Sequence, residues 1–293
     1  MPSPSKGSQL PLGQAVALGA LHGPAELLPI SSSGHIELIP WLLDWSYVEL
    51  DHELRKAFGV ALHAGTAAAL LITLRDEVGD AVGGLNSRRL ALIALSFAPP
   101  ALVGFTLERP IERYLGTPPT IAIGLIAGAV VMAYADRSPQ SRAHDDADAA
   151  DALWLGVAQA CALIPGISRN GATLAAARLR EFAREDANRL SRHVALPVIV
   201  GATLLKTVRL HRRGLPPRAG LPFAAGAAAS FASTLGSTWL IRQVERDRSL
   251  LPYAVYRIAL GGAVLRRIAR RRGRGGGDAI RAASSSSPRS ARL

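Results

Sequence analysis

Two short runs in this chain of 293 residues gather side chains that can do chemistry, and both lie in otherwise apolar sequence. The first, ALHGPAELLPISSSGHIEL, sets His22 four residues before Glu26, then Ser31, Ser32 and Ser33 after Pro29, then Gly34 and His35. A carboxylate among apolar residues is costly to bury unless it holds a metal, a proton or a basic partner. Hydroxyls and amides packed into a turn make an anion cradle, and His35 is near enough in sequence to act as general acid or base. The plainer readings are a structural ion pair for Glu26 and a helix cap for the serine run. The second run, ALIPGISRNGATL, breaks at Pro165-Gly166 and then offers Ser168, Arg169 and Asn170, followed by Gly171 and Thr173. Arg169 brings a fixed charge on a bidentate fork suited to phosphate oxygens, and a helix starting near Gly171 would aim its free amides at the same anion. Its anionic partner is either Glu26 or a ligand phosphate, and the two do not exclude each other. Glu37, His63 and Lys206 are weaker candidates, since each can equally be a snorkelling or core-satisfied residue.

The elements that must position these residues are helices in a bilayer. The chain is 49% hydrophobic and 19% charged with a net charge of +12, so apolar and charged residues are segregated along it. Residues 266–293 hold nine arginines and one aspartate, and the basic character is largely this tail. Six apolar stretches, 57–74, 89–107, 119–135, 194–208, 219–241 and 251–265, approach the roughly 20 residues a spanning helix needs. IAIGLIAGAVVMAYA (121–135) has no polar side at any helical period, which a soluble amphipathic helix would show. The segments 12–43 and 153–180 are apolar but interrupted by proline, glycine and serine. Non-helical backbone survives in hydrocarbon only against protein or trapped water, so these read as re-entrant pieces lining a cavity.

The sequence therefore predicts an all-α polytopic membrane protein: a lead (1–11), one membrane domain (12–265) and a disordered Arg-, Gly- and Ser-rich tail from Arg266. The tail reads as a cytoplasmic positive-inside signal touching anionic lipid, and lacks the aromatic interleaving of a nucleic-acid binder. Six spans return both termini to the cytoplasm and put loop 209–218, with four arginines, on the same side; loops 75–88 and 242–250 fall outside despite their arginines. No signal peptide is expected at the N-terminus. Cys161 alone excludes an intramolecular disulfide or a multi-cysteine metal site and is expected as a small packing residue.

The two interrupted segments match one another. Gly19, His22, Ser31 and Gly34 recur as Gly156, Gln159, Ser168 and Gly171 at a shift of 137 residues, and the same shift carries the first three spans close to the last three. An odd number of crossings per half makes the repeats, 12–135 and 153–265, inverted in the membrane, with half-helix N-termini sharing a site that favours anions.

At these residues the chain resembles the undecaprenyl-diphosphatase family, the BacA-type bacitracin-resistance proteins. One family motif is matched from Glu26 through Leu28-Pro29-Ile30-Ser31-Ser32-Ser33-Gly34-His35, the other from Pro165 to Thr173, and the resemblance covers roughly 12–268. It implies a bacterial inner-membrane hydrolase converting undecaprenyl diphosphate to undecaprenyl phosphate for reuse as a cell-wall lipid carrier. It implies Ser32 as nucleophile, His35 as the motif histidine, Arg169 as diphosphate clamp and Glu26 as the second motif acid, and it implies a divalent cation, magnesium or calcium. Ser31, Ser33, Ser168, Asn170 and Thr173 are expected to bind substrate phosphate, and Glu26 with His22 the metal. Two positions depart from the pattern: His22 stands at the family's first Glu or Gln, and Asn170 at a serine. A histidine can ligate metal but cannot supply a second carboxylate, and hard cations prefer oxygen. The rival reading is a transporter or flippase of a phosphorylated prenyl lipid, because inverted repeats with broken helices serve transport as well; a passive lipid-binding scaffold ranks last. A homodimer is compatible with the sequence and not required by it.

Overall fold

The architecture is described from a computed structural model over residues 9–84, 86–214, 219–246 and 249–285. Its helices are α1 (Leu12–Leu27), α2 (Ser32–Leu42), α3 (His52–Thr73), α4 (Arg75–Gly83), α5 (Ser87–Leu115), α6 (Pro118–Ala135), α7 (Ala149–Cys161), α8 (Arg169–Leu179), α9 (Arg184–Arg213), α10 (Gly220–Gly236), α11 (Trp239–Arg246) and α12 (Leu251–Ser285). Among the described residues there is no strand, only one isolated bridge between Arg142 and Phe182. Residues 1–8 of the lead, 286–293 of the tail and Arg218 lie outside the described residues.

Both interrupted segments fold as helical hairpins, α1–α2 and α7–α8. Of the six apolar stretches, four become helices long and apolar enough to cross a membrane: α3, α5, α6 and α9 as far as Leu210. The other two depart from expectation. Stretch 219–241 is cut at Ser237-Thr238 into α10 and α11, where the Thr238 hydroxyl bonds back to the Leu235 carbonyl at 3.1 Å. Stretch 251–265 opens α12, whose apolar run is interrupted by Arg257, Arg266 and Arg267.

The tail expected to be disordered from Arg266 continues as helix to Ser285. Its first turns are anchored: Leu265 and Ile268 pack on the group around Leu38 and Ile121, and Arg267 and Arg271 both bind the Asp44 carboxylate and stack over Trp41. Hydrogen bonds from Arg267 and Arg271 hold the Asp44 carboxyl below its usual range. Cys161 is also corrected, for it is exposed. It ends an outward stripe of α7 with Leu153, Trp154 and Val157, at helical spacing.

Packing is reciprocal across the chain. α1 lies on α10 and α7 on α5, two pairings related by the 137-residue shift, while α6 and α12, each the other's equivalent under that shift, lie on one another. Close approach rests on small residues: a Cβ at Gly19 would run into the Gly226 carbonyl of α10, and one at Gly65 of α3 into the Ala227 carbonyl. One core group gathers Leu18, Tyr47, Phe58, Leu62 and Phe223; another gathers Met132, Leu155, Leu174, Phe182 and Leu190. Large apolar side chains such as Phe105, Leu102 and Leu204 point outward, as a lipid-facing surface permits.

Gly19→Val should therefore destabilise the fold by roughly 1–3 kcal/mol through overpacking. Gly13→Ala, on the same helix with open space around it, should leave the melting temperature in detergent unchanged or slightly raised.

Candidate active site

Each hairpin turn ends in a serine that caps the following helix. Ser31 and Ser168 have positive φ, 76° and 68°, and each hydroxyl accepts from the backbone N–H three residues on, Gly34 at 3.3 Å and Gly171 at 3.2 Å. A non-glycine residue held there costs about 1–3 kcal/mol, and such strain gathers where backbone must be aimed. In the α7–α8 turn Gly166 also has positive φ, 98°, and tucks against the Ile121 carbonyl, where no side chain fits. The cap reading of the serine run thus holds for Ser31. Its consequence is chemical: α2 and α8 start at the same place, and their first amides and dipoles favour an anion there.

The two runs meet. Glu26, in the last turn of α1, accepts from Arg169 Nη2 on Oε1 and from Ser32 Oγ on Oε2 at 2.5 Å. The Glu26 side chain is 8% exposed and that of Arg169 20%, so this is a pair at a cavity wall. The cavity has a volume of about 370 Å³ and is lined by Glu26, Ser31, Ser32, Ser33, Ser168, Arg169 and Asn170, together with His63 and Lys206. Its rim is basic, but each cation has a carboxylate: Arg55 with Glu37 at 2.6 Å, Lys56 with Glu112 at 2.6 Å, Lys206 with Glu108 at 2.8 Å. Lys206, Glu37 and His63, weak candidates in sequence, all line this space.

Four expected site residues sit elsewhere or are spoken for. His35 is 1% exposed and outside the cavity lining; its Nδ1 meets the Ser31 carbonyl and its Nε2 the Tyr256 hydroxyl, both at 2.7 Å, with the rings stacked. The imidazole is held between turn and α12; the cavity is lined instead by His52 and His63, of which His63 lies beside Glu26. Thr173 is fully buried one turn beyond Arg169, bonding the Arg169 carbonyl at 2.9 Å and Ser191 at 2.5 Å. Asn170 lines the cavity but uses its amide as a tie, donating to the Leu27 carbonyl at 2.9 Å and accepting from Ser191 at 3.3 Å. His22 is fully buried beside Glu26 and edge-on to His63, ring centroids 4.5 Å apart.

Sequence reasoning missed Arg257. This guanidinium is fully buried and donates to the carbonyls of Pro29 at 3.4 Å, Gly166 at 3.1 Å and Ile167 at 2.7 Å, joining the two turns. Gly128 and Gly171 leave the space it occupies. The signal was present, an arginine in mid-span, which the cost of burying charge marks as functional.

The family model described as Bacitracin resistance protein BacA matches residues 15–263. Among curated relatives, an undecaprenyl-diphosphatase of Geobacter sulfurreducens is 42% identical over 265 residues, covering 86% of this chain and 96% of the relative. One of Geobacter metallireducens is 38% identical over 264 residues (86% and 96%), and one of Thermomicrobium roseum 36% over 274 (86% and 96%).

Arg257→Leu strands three buried carbonyls, each worth roughly 1–3 kcal/mol when left unpaired, so the melting temperature should fall sharply. Tyr256→Phe removes one bond to His35 and should cost only about 1 kcal/mol by the same measurement.

Proposed function

This chain belongs to the bacitracin resistance protein BacA family, and from that premise we propose that it is a membrane phosphatase hydrolysing undecaprenyl diphosphate to undecaprenyl phosphate and phosphate. The observation that carries the reading is the convergence of Glu26, Ser32 and Arg169, from two hairpins, on one cavity where two helices begin. Phosphoryl transfer needs positioning and charge neutralisation above all, and this arrangement supplies both.

When the diphosphate enters, Arg169 exchanges the Glu26 carboxylate for phosphate oxygens, and the first amides of α2 and α8 take others. Ser32 Oγ attacks the terminal phosphorus while Glu26 Oε2, already accepting its proton, removes it. The bond from that phosphorus to the bridging oxygen breaks, and undecaprenyl phosphate leaves with its charge against Arg169. Water then hydrolyses the phosphoserine, its attack assisted by the same carboxylate, which frees phosphate and restores Ser32. Glu26 thus takes the proton-handling role expected of His35. The prenyl chain lies between helices in lipid contact.

We place α10–α11 and α12 across the bilayer as the remaining two spans, giving six in two inverted repeats, with the protein in the bacterial inner membrane and both termini cytoplasmic. The reciprocal packing of shift-related helices supports this arrangement. The product re-enters use as the cell-wall lipid carrier. Magnesium or calcium, the expected cation, takes about six or more oxygens, whereas the cluster beside Ser32 offers one carboxylate and two imidazoles. That donor set does not fit a hard cation; Ser32, Glu26 and Arg169 carry the steps above.

Purified protein in detergent should release phosphate from a long-chain prenyl diphosphate, and Ser32→Ala, Glu26→Gln and Arg169→Ala should each lower kcat by about 10²-fold or more. His35→Gln should retain more activity than Glu26→Gln, and acid quenching should trap phosphate on Ser32. Full turnover in the Glu26 and Arg169 variants would refute the assignment; intact lipid crossing between leaflets without phosphate release would select the transporter reading instead.

A further inference from the structure

We propose that His22, Glu26 and His63 form a site for a borderline transition dication of the zinc, cobalt or nickel type, in place of the hard cation an oxygen-rich site would take. Each residue offers one ligand atom, and these atoms lie within 4.8 Å of one another. Bonds of about 2.0–2.2 Å from nitrogen and oxygen to one such ion span up to roughly 4 Å, so side-chain adjustments of under an ångström close the site. Two imidazoles and a carboxylate are the donor set of catalytic dication sites that keep a position open, and here the open side meets the cavity.

The independent observation is the state of His22. It is 0% exposed, and its Nε2 has no hydrogen-bond partner. Its Nδ1 contacts Thr66 Oγ1 at 2.8 Å and Ser230 Oγ at 3.2 Å. The Ser230 hydroxyl spends its proton on the Leu62 carbonyl at 2.9 Å, so toward His22 it can only accept. The arrangement that makes every one of these contacts a hydrogen bond has the proton on Nδ1, donated to Ser230 and Thr66. Nε2 then carries a bare lone pair in a buried place with nothing to accept it. Outer hydrogen bonds of this kind fix the tautomer of metal-ligating histidines. Glu26 can join without surrendering Arg169 or Ser32, because a carboxylate has about four lone-pair sites.

Metal binding is a claim separate from the hydrolase reading, and only its use in phosphoryl transfer rests on that reading. The test uses the full chain, purified in detergent through a tag without histidine and stripped with chelator. Zinc should bind at one per chain and raise the melting temperature, millimolar magnesium or calcium should not displace it, and cobalt should give visible absorption bands of a nitrogen-ligated ion. His22→Gln and His63→Gln should each weaken zinc binding at least 10-fold. Thr66→Val, which spares the ligands but removes an outer acceptor, should weaken it about 10–100-fold. His22→Glu should lose zinc preference and gain magnesium or calcium binding, which keeps the idea testable if a glutamine variant fails to fold. Zinc binding unchanged in the folded His22 and His63 variants, or absent in a wild type that binds magnesium, would overturn the site. Phosphate release measured in parallel separates the two claims: turnover without zinc binding removes this site alone, and zinc binding without turnover removes the hydrolase reading alone.

Discussion

Glu26 and Arg169 are 143 residues apart in sequence, and each is a charge that an apolar interior tolerates only beside the other. Their contact fixes the end of the first hairpin's leading helix against the start of the second hairpin's trailing helix. Everything that makes the cavity chemically competent follows from that geometry. Ser32 reaches the same carboxylate only because its turn returns beside Glu26, and the two helix N-termini face one space only because both turns are pinned there. Breaking a buried pair from one side costs about 3–5 kcal/mol, since it leaves the other charge unpaired. Under the proposed function the replacement is a phosphate of the substrate. A resting pair that a substrate can exchange keeps the site folded when empty and charged when filled.

The turns bring a cost of their own. Ser31 and Ser168 occupy backbone conformations that L residues avoid, and the pieces of chain around them expose carbonyls that no helix satisfies. Arg257 supplies the missing donors from α12, reaching carbonyls of both turns at once. Asn170 adds a second tie between the hairpins through the Leu27 carbonyl, and His35 holds the first turn through the Ser31 carbonyl. Polar residues that look like site chemistry in the sequence are therefore divided between two tasks: a few face the cavity, and the rest keep strained backbone in place so that those few can.

Small residues make the scaffold close enough for this to work. Glycines on α1 and α3 let α10 approach to backbone contact, and that approach sets Thr66 and Ser230 against His22. The polar network behind the cavity is thus a consequence of glycine placement on neighbouring helices. A single methyl at Gly19 or Gly65 would push the network apart before it touched any reacting group.

Much of this was legible in the residues themselves. Apolar length forecasts helices, proline and glycine in mid-run forecast the two breaks, and the 137-residue match forecasts that the breaks are equivalent, because these are local or periodic properties. The convergence of Glu26, Ser32 and Arg169 was legible as well, since buried opposite charges must find each other. What the sequence alone could not decide is which face of each helix meets the cavity. His35 and His63 are both histidines in apolar runs, yet one is locked between a turn and Tyr256 while the other lines the site, a choice made by helix rotation and packing. Arg257 and Arg169 are likewise alike as residues in membrane segments, and only the position of carbonyls and carboxylates around them makes one a brace for the turns and the other the partner of Glu26 at the cavity. Residue types set what chemistry was available; tertiary packing, by orienting each side chain toward a cavity or toward backbone, decided which of them can perform it.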